Sequence, residues 1–263
     1  MKSIQQFPST SKHQIKYVLT DIDDTLTNDG YLPAVAYSAM ELLQQAGIKV
    51  IPITGRPAGW CDHIARMWPV DGLVGENGAF YFYYDHDRHK MIRRFWRTEK
   101  QRKIDRQKLT QLQGQILSEV PGCAISADQQ YREADLAIDF CEDVPALSKS
   151  DVDRIVQIFQ AAGAVAKISS IHVNGWFGDY DKLAMTQSLF REIFQIDLGS
   201  NKESVMFSGD SPNDAPMFAY FPHGVGVANI SQFLDDLSVQ PAWITRGEGG
   251  YGFAEIVEVL LAD

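Results

Sequence analysis

An apolar run that ends in three carboxylates constrains the fold of this chain most. Tyr17 to Thr20 have the composition of a buried strand, and Asp21, Asp23 and Asp24 follow it directly. Carboxylates this close raise each other's pKa or require a cation. Magnesium suits such a site, because it takes one or two carboxylates and completes its shell with water and phosphate oxygens. Taken alone, the same residues are equally typical of an acidic turn or a helix cap.

The end of this strand also offers anion-binding geometry. Asp21 and Asp23 point to the same side of an extended chain, because side chains alternate along a strand. If the chain turns there, the backbone N–H groups from Ile22 onward form a concavity that binds anions.

Composition indicates an ordinary globular protein of one large or two modest domains. The 263 residues are 45% hydrophobic and 22% charged, and we expect no disorder beyond the first dozen residues. No apolar run reaches the roughly 20 residues of a membrane span, and residues 1–14 lack an apolar signal-peptide core. The chain has an odd number of cysteines, and they are widely spaced: Cys61, Cys123 and Cys141. This pattern predicts free thiols and a cytoplasmic protein.

The net charge of −10 conceals a basic window between Asp85 and Lys108, which carries +6 while the rest of the chain carries −16. Such a stripe can steer anions or contact nucleic acid. We favour a solvated helix face with pairs such as Glu99 and Lys103, so nucleic acid is not the expected partner.

Strand and helix patterns alternate on both sides of a differently patterned middle segment. Strands are predicted at 17–20, 48–53, 71–74, 204–208, 225–228 and 242–244, and helices at 33–46, 57–67, 181–194 and 254–261. This alternation predicts an α/β fold with a doubly wound, Rossmann-like parallel sheet. Residues 79–84 and 90–96 read as a hairpin.

The middle segment has the pattern of an inserted α+β domain. Its two helices are predicted at 98–120 and 150–162, and its strands at 123–126, 136–140, 165–168 and 171–177. We therefore divide the chain into a core of residues 1–96 and 178–263 and a cap of residues 97–177.

Further polar groups follow predicted strands or begin predicted helices. They are Thr54, Lys182 and the cluster of Asp210, Asn213 and Asp214. Each alone is typical of a cap, a turn or a surface lysine. In a doubly wound sheet such groups meet beyond the carboxyl ends of the strands. Acids, a hydroxyl and a lysine at one site are the groups that phosphoryl transfer requires.

These stretches resemble the motifs of the haloacid dehalogenase superfamily of phosphohydrolases. Residues 21–25, 54–56, 181–182 and 209–214 are similar to its first to fourth motifs, and residues 75–79 to the Asn-Gly loop of one of its groups. The position of the insertion resembles subclass IIB, which has a C2-type cap and includes sugar-phosphate phosphatases and phosphomannomutases. The resemblance covers the whole core, whereas in the cap it rests on the order of elements alone.

The resemblance implies a role for each matching residue. Asp21 is expected to attack phosphorus and form an aspartyl-phosphate, and Asp23 to act as general acid and base. Thr54, Gly55, Lys182 and Asn213 are expected to bind the phosphoryl group. Mg2+ is expected between the Asp21 carboxylate, the Asp23 backbone carbonyl and Asp210, with Asp214 orienting this shell or joining it. Asp24, where many relatives have glycine, is expected to be structural.

Substrate contacts are less well determined. Glu76 and Asn77 are candidates because they lie near the motifs, and His172 and Asn174 because they lie on a predicted cap strand. Because side chains alternate along a strand, His172 points away from Ile171 and Val173, and it therefore faces either the cleft or the solvent. Trp176 can stack on a sugar, although a core position is the commoner explanation.

These residues predict a magnesium-dependent phosphatase acting on a small phosphorylated metabolite, and a sugar or polyol phosphate is the expected substrate. A phosphomutase, which returns the phosphoryl group to substrate, is the first alternative. The second is a non-catalytic protein that binds a phosphorylated ligand or nucleic acid. The substrate and the oligomeric state do not follow from the sequence.

Overall fold

A computed structural model describes residues 1–262. The strands are β1 (Lys2–Ser3), β2 (Tyr17–Thr20), β3 (Lys49–Pro52), β4 (Leu73–Gly75), β5 (Phe80–Asp85), β6 (Lys90–Phe95), β7 (Ala124–Ile125), β8 (Asp135–Asp139), β9 (Val165–Ile168), β10 (His172–Trp176), β11 (Val205–Gly209), β12 (His223–Gly226) and β13 (Trp243–Ile244). The α-helices are α1 (Ser9–Lys12), α2 (Ala34–Gln45), α3 (Ala58–Met67), α4 (Glu99–Glu119), α5 (Lys149–Ala161), α6 (Lys182–Leu189), α7 (Ala215–Tyr220) and α8 (Gly249–Leu261).

The core is a six-stranded sheet in the order β1-β13-β12-β11-β2-β3, and all of its pairings are parallel. Alternate residues of each strand face opposite sides. Val18 packs with α2, α3 and α8, whereas Leu19 packs with α6 and α7. Burial on both faces explains why β2 is apolar throughout. The predicted doubly wound α/β fold is confirmed.

Local sequence signals fix the helix that returns the chain from β2 to β3. Pro33 precedes the first residue of α2, and its fixed φ suits a helix start. Gly47 has φ +78° just beyond the last turn, and the Ile48 amide donates to Leu43. A left-handed glycine at this point ends the helix and directs the chain into β3.

The inserted segment forms a separate layer. Its antiparallel sheet has the order β7-β8-β10-β9, and α4 and α5 pack on that sheet through Leu109, Ile116, Ile155 and Phe159. A capping box between Thr98 and Gln101 begins α4. The predicted α+β cap is confirmed as an architecture, and the predicted hairpin is β5–β6, which extends a third sheet with β4.

Two features of local structure go beyond the predictions. The first dozen residues are ordered, because β1 pairs with β13 and the side chains of Ile4 and Phe7 are buried. Two isolated apolar residues in a polar stretch give no periodic signal. The helix predicted at 181–194 is α6 followed by a π-helical turn, Phe190–Phe194.

Acidic partners neutralise much of the basic window. Glu99 pairs with Lys103 as predicted, at 2.6 Å. Arg97 pairs with Asp105 at the same distance. Among residues 1–262, no helix is long and apolar enough to cross a membrane. The three cysteines are unbridged.

Candidate active site

The parallel register brings the predicted motifs to one edge of the sheet. Asp21 directly follows β2 and Asp210 directly follows β11, and the Asp21 amide donates to the Ser208 carbonyl at 2.9 Å. Thr54 lies just beyond β3 on the other side of β2. The chain passes from β2 to β3 on one side and from β11 to β12 on the other, so connections diverge between β2 and β11. Doubly wound sheets bind ligands at such a point.

Four charged side chains meet beyond these strand ends. The Lys182 ammonium lies 2.8 Å from Asp21 Oδ2 and 2.8 Å from Asp214 Oδ1. Carboxylate oxygens of Asp21, Asp210 and Asp214 all lie within 4.8 Å of one another. None of the four residues is more than 5% exposed. The fold therefore brings three buried carboxylates and one ammonium together.

The cluster carries more negative charge than Lys182 neutralises. Burial raises the pKa of Asp21 to about 7; Asp214 adds to this rise and Lys182 opposes it. Burial, with Asp214 and Asp21, raises the pKa of Asp210 well above its usual value. Burial lowers the pKa of Lys182, but Asp21 and Asp214 raise it more. A further cation is the electrostatic complement of this arrangement.

One carboxylate oxygen of Asp210 indicates where such a cation would bind. Its Oδ1 accepts a hydrogen bond from the Thr25 hydroxyl at 3.0 Å, whereas its buried Oδ2 has no partner among the described residues. Burying a carboxylate oxygen without a partner is costly. A donor set made only of oxygens suits Mg2+ or Ca2+ rather than softer metals. The residues therefore fit the predicted magnesium ion.

The Asp23 side chain lies outside this cluster and contacts Arg56. The Arg56 Nε donates to Asp23 Oδ1 at 2.8 Å, and its Nη2 donates to Glu142 Oε1 of the cap at 3.0 Å. Burial lowers the pKa of Arg56, but Asp23 and Glu142 raise it more. Since the predicted metal contact of Asp23 uses its backbone carbonyl, this side-chain position is compatible with the prediction.

The Asn-Gly loop positions the lysine. Gly78 has φ +106°, and a Cβ there would lie 2.0 Å from the Asp181 carbonyl oxygen, so glycine lets the loop press on the first turn of α6. Asn77 packs against Gly55, and its buried Nδ2 has no partner among residues 1–262. The loop therefore fixes Lys182 and the backbone of the second motif together.

Glu76 does not face the cleft, contrary to its prediction as a substrate contact. Its Oε1 accepts from the amides of Ala58 and Glu133 at 3.0 and 2.8 Å, and its Oε2 from those of Ala134 and Asp135 at 2.6 and 3.2 Å. The side chain is fully buried, and burial raises its pKa to about 8. Its observed role is to join the core to the cap.

Glu76→Gln tests this role. The glutamine amide places N–H donors against backbone N–H donors, so we expect the free energy of unfolding in urea to fall by about 3 kcal/mol. Glu133→Gln is the matched control, because the Glu133 side chain is half exposed and its pairs with Arg102 and Arg106 are 3.6–3.9 Å long. Its expected change is within about 0.5 kcal/mol. Equal stability of the two variants would contradict a joining role for Glu76.

A cavity of only about 10 Å³ lies between the cap and the strand ends, which is space for about one water molecule. It is lined by Asp21, Asp23, Gly55, Arg56, Arg132, Ser169, Ser170, Ile171, His172, Asn174, Ser211 and Asn213. The structure therefore brings most of the predicted catalytic, phosphate-binding and cap residues to one enclosed space. Thr54 lies behind it, with its hydroxyl accepting from the Arg56 amide.

The cap side chains reach this cavity as buried groups. His172 is 3% exposed and its Nε2 lies 2.8 Å from Glu142 Oε2, so the alternative of a simply exposed strand residue was wrong. Asn174 donates to the Asp135 carboxylate at 3.0 Å. Trp176 is 1% exposed, which confirms a core position.

Sequence reasoning missed the roles of Arg56 and Glu142. Arg56 was visible only as the last residue of the second motif, with no role assigned to it, whereas Glu142 lies in a loop with no periodicity. Contact with His172 and Arg56 lowers the pKa of Glu142 to about 2 against the effect of burial. Arg132 of the cap likewise reaches the core: it pairs with Asp128 and donates to the Gly55 carbonyl at 2.9 Å.

Comparison with known proteins decides the family. The model of the haloacid dehalogenase-like hydrolases matches residues 18–172, more than half of the chain. The chain belongs to this family. The match begins in β2 and includes the first and second motifs, so the predicted family is confirmed, as is the prediction that the protein is an enzyme.

Individual relatives cover nearly the whole chain. Phosphoglycolate phosphatase 1 of Saccharolobus solfataricus is 29% identical over 254 residues, which are 94% of this chain and 96% of the relative. The sucrose-phosphatase of Synechocystis sp. PCC6803, solved with sucrose and phosphate, is similar with TM-score 0.64 and 14% identity, covering 95% and 99% of the two chains. A subclass IIB sugar phosphatase is similar with TM-score 0.59 and 16% identity, covering 88% and 93%.

Proposed function

We propose that this protein is a magnesium-dependent phosphatase that hydrolyses a small phosphate monoester, a sugar or polyol phosphate, through an aspartyl-phosphate. One observation carries the proposal: the Asp21 carboxylate contacts Lys182, lies within 4.8 Å of carboxylate oxygens of Asp210 and Asp214, and lines a cavity that Asp23 also lines. Family membership and the phosphatase names of the similar proteins support it.

In the first half-reaction, a carboxylate oxygen of Asp21 forms a bond to phosphorus while the bond from phosphorus to the leaving oxygen breaks. Asp23 gives its proton to the leaving alkoxide. In the second, Asp23 takes a proton from water, the water oxygen attacks phosphorus, and inorganic phosphate leaves with regeneration of Asp21. The two carboxylates thus take separate roles, which fits their separate surroundings.

Asp21, Asp210 and Asp214 are the residues that would hold the ion, together with the Asp23 backbone carbonyl. When bound, Mg2+ supplies positive charge that offsets the charge developing on the phosphoryl oxygens. Lys182 supplies a second positive charge against the nucleophile, and Gly55 and Asn213 line the space for the phosphoryl group. We also propose that residues 97–177 act as the cap, closing over this space.

A turnover screen tests the function. The purified protein is incubated with Mg2+ and a panel of phosphorylated sugars, polyols, nucleotides and carboxylic acids, and released phosphate is measured. We expect hydrolysis of sugar or polyol phosphates. Absence of phosphate release across the panel, with the fold intact by circular dichroism, would contradict the proposed function.

Asp23→Asn separates the acid from the nucleophile. The variant keeps its backbone carbonyl and should still bind Mg2+, but it has no proton for the leaving group. Loss of kcat should therefore be about tenfold or more greater with an alkyl phosphate than with 4-nitrophenyl phosphate, whose leaving group needs no proton. Equal losses with both substrates would exclude the acid role.

A further inference from the structure

Another concave space lies within the cap, and we call it the cap pocket. It has a volume of about 210 Å³ and lies between α4 and the segment that leads into β8. Three arginines line it: Arg102, Arg106 and Arg132. Arg132 is already matched by two acids, because Asp128 and Asp135 lie 2.7 and 3.0 Å from its guanidinium. The charge of the pocket therefore depends on Arg102 and Arg106, which lie one turn apart on α4.

The charge of these two arginines exceeds that of the acid facing them. Glu133 Oε2 lies 3.9 Å from Arg102 Nη2 and 3.6 Å from Arg106 Nη2, and both distances are longer than a hydrogen bond. The Glu133 side chain is also 46% exposed, so water screens both contacts. The pocket therefore holds one positive charge in excess, and an anion is its electrostatic complement.

Both guanidinium groups are held in place without an anion. Arg102 stacks on the Phe95 ring, 3.8 Å from its centroid, and its Nη1 donates to the Arg97 carbonyl at 3.0 Å. The Arg102 Nε is buried and has no hydrogen-bond partner among residues 1–262. Arg106 Nη2 donates to the Glu133 carbonyl at 3.2 Å. Since a guanidinium has five N–H donors, each arginine keeps donors for a ligand and loses little freedom on binding it.

We propose that the cap pocket binds a phosphate-sized oxyanion between Arg102 and Arg106, either inorganic phosphate or the phosphoryl group of a metabolite. Guanidinium groups match the oxygens of such an anion with paired hydrogen bonds. This site is distinct from the one formed at the strand ends, and the proposal does not depend on the phosphatase activity.

The surroundings of the pocket favour a small anion over a polynucleotide. Nucleic acid binds to many cations spread over a continuous surface. On α4 the neighbouring cations are instead paired with acids, Lys103 with Glu99 and Arg97 with Asp105, each at 2.6 Å. Two unmatched arginines in one concave space are the arrangement for a single oxyanion.

The wall of the pocket opposite α4 is also the joint between the cap and the core. The amides of Glu133 and Ala134, which line the pocket, donate to the Glu76 carboxylate at 2.8 and 2.6 Å. Arg132 donates to the Gly55 carbonyl of the second motif at 2.9 Å. An anion in the cap pocket therefore contacts the segment that holds the cap against the core.

An NMR titration tests the proposal. Inorganic phosphate is added to the 15N-labelled protein in EDTA at constant ionic strength, because without metal the active-site acids repel an anion. We expect a saturable shift of the Arg102 Nε–H signal, which is identified by its loss in Arg102→Lys. The affinity, followed by the amide signals of residues 133–136, should fall about tenfold or more in the double variant Arg102→Gln/Arg106→Gln.

Lys100→Gln/Lys103→Gln is the matched control, because it removes two positive charges from exposed positions on the same helix that do not line the pocket. Its affinity for phosphate should stay within about twofold of wild type. Glu133→Gln tests the opposite sign, since it removes the competing carboxylate and its expected effect on stability is small. It should bind phosphate about threefold or more tighter, and this result does not depend on whether the arginine variants fold.

Methylphosphonate, which carries an oxyanion on an organic stem, distinguishes the two sources of the ligand. Affinity equal to that of inorganic phosphate assigns the pocket to a phosphorylated metabolite, and weaker affinity assigns it to the free ion. Absence of a saturable Arg102 signal shift overturns the proposal. So do equal losses of affinity in the two double variants, which would mean general attraction to a basic helix, and an affinity that Glu133→Gln leaves unchanged or weakens.

Discussion

Asp21→Asn is expected to lower kcat for phosphate monoesters by three or more orders of magnitude, on the order of the loss when a covalent nucleophile is removed. The amide keeps the shape of the side chain and the acceptor for the Ile22 amide, which donates to Asp21 Oδ1 at 2.8 Å. It removes the attacking charge and one ligand of the proposed ion. Initial rates of phosphate release measure the effect.

Asp24→Asn is the matched control in the same acidic stretch. Asp24 has φ +56°, and asparagine tolerates this left-handed conformation. Its backbone amide and carbonyl are bonded to Thr27 and Asn229, and these bonds do not depend on the carboxylate. We expect less than a tenfold change in kcat. If Asp21→Asn keeps a tenth of wild-type activity, or the two variants lose activity equally, Asp21 is not the nucleophile.

Asp24 illustrates what the sequence predicts well. A structural role was expected because many relatives have glycine at this position, and the left-handed backbone gives the physical reason. The sheet, its strand ends and the motifs were predictable for a related reason. Buried parallel strands give continuous apolar runs, and their carboxyl ends meet by topology.

The cap contacts were not predictable, because they join residues that no local pattern relates. Glu76 and Glu133 are far apart in sequence. The sequence also does not reveal that four backbone N–H groups point at the Glu76 carboxylate, or how close they lie to it. The same holds for Glu142, whose contact with Arg56 depends on how the cap is placed over the core. Periodicity describes which face of an element is buried, whereas these contacts depend on the packing of whole domains.

Removal of divalent metal is expected to abolish turnover and lower the thermal midpoint. Three carboxylates lie within 4.8 Å of one another and Asp210 Oδ2 lacks a partner, so the folded state gains from a bound cation. A ligand that binds only the folded state stabilises it by about 2.7 kcal/mol at one hundred times its Kd. For a chain of this size, Mg2+ should therefore raise the midpoint by roughly 5–10 °C relative to EDTA-treated protein.

Two controls connect this shift to the cluster. Asp210→Asn should remove most of the Mg2+ effect on the thermal midpoint, whereas Asp29→Asn, which alters an exposed acid of the loop after β2, should keep it. Ca2+ accepts more oxygen ligands at longer distances, so it should raise the midpoint without supporting turnover. A midpoint and a phosphatase activity that are both indifferent to Mg2+ after EDTA treatment would mean that Lys182 alone balances the three acids. The cluster would then be a structural ion pair, and the unpartnered oxygen of Asp210, which Lys182 does not contact, would not be a metal ligand.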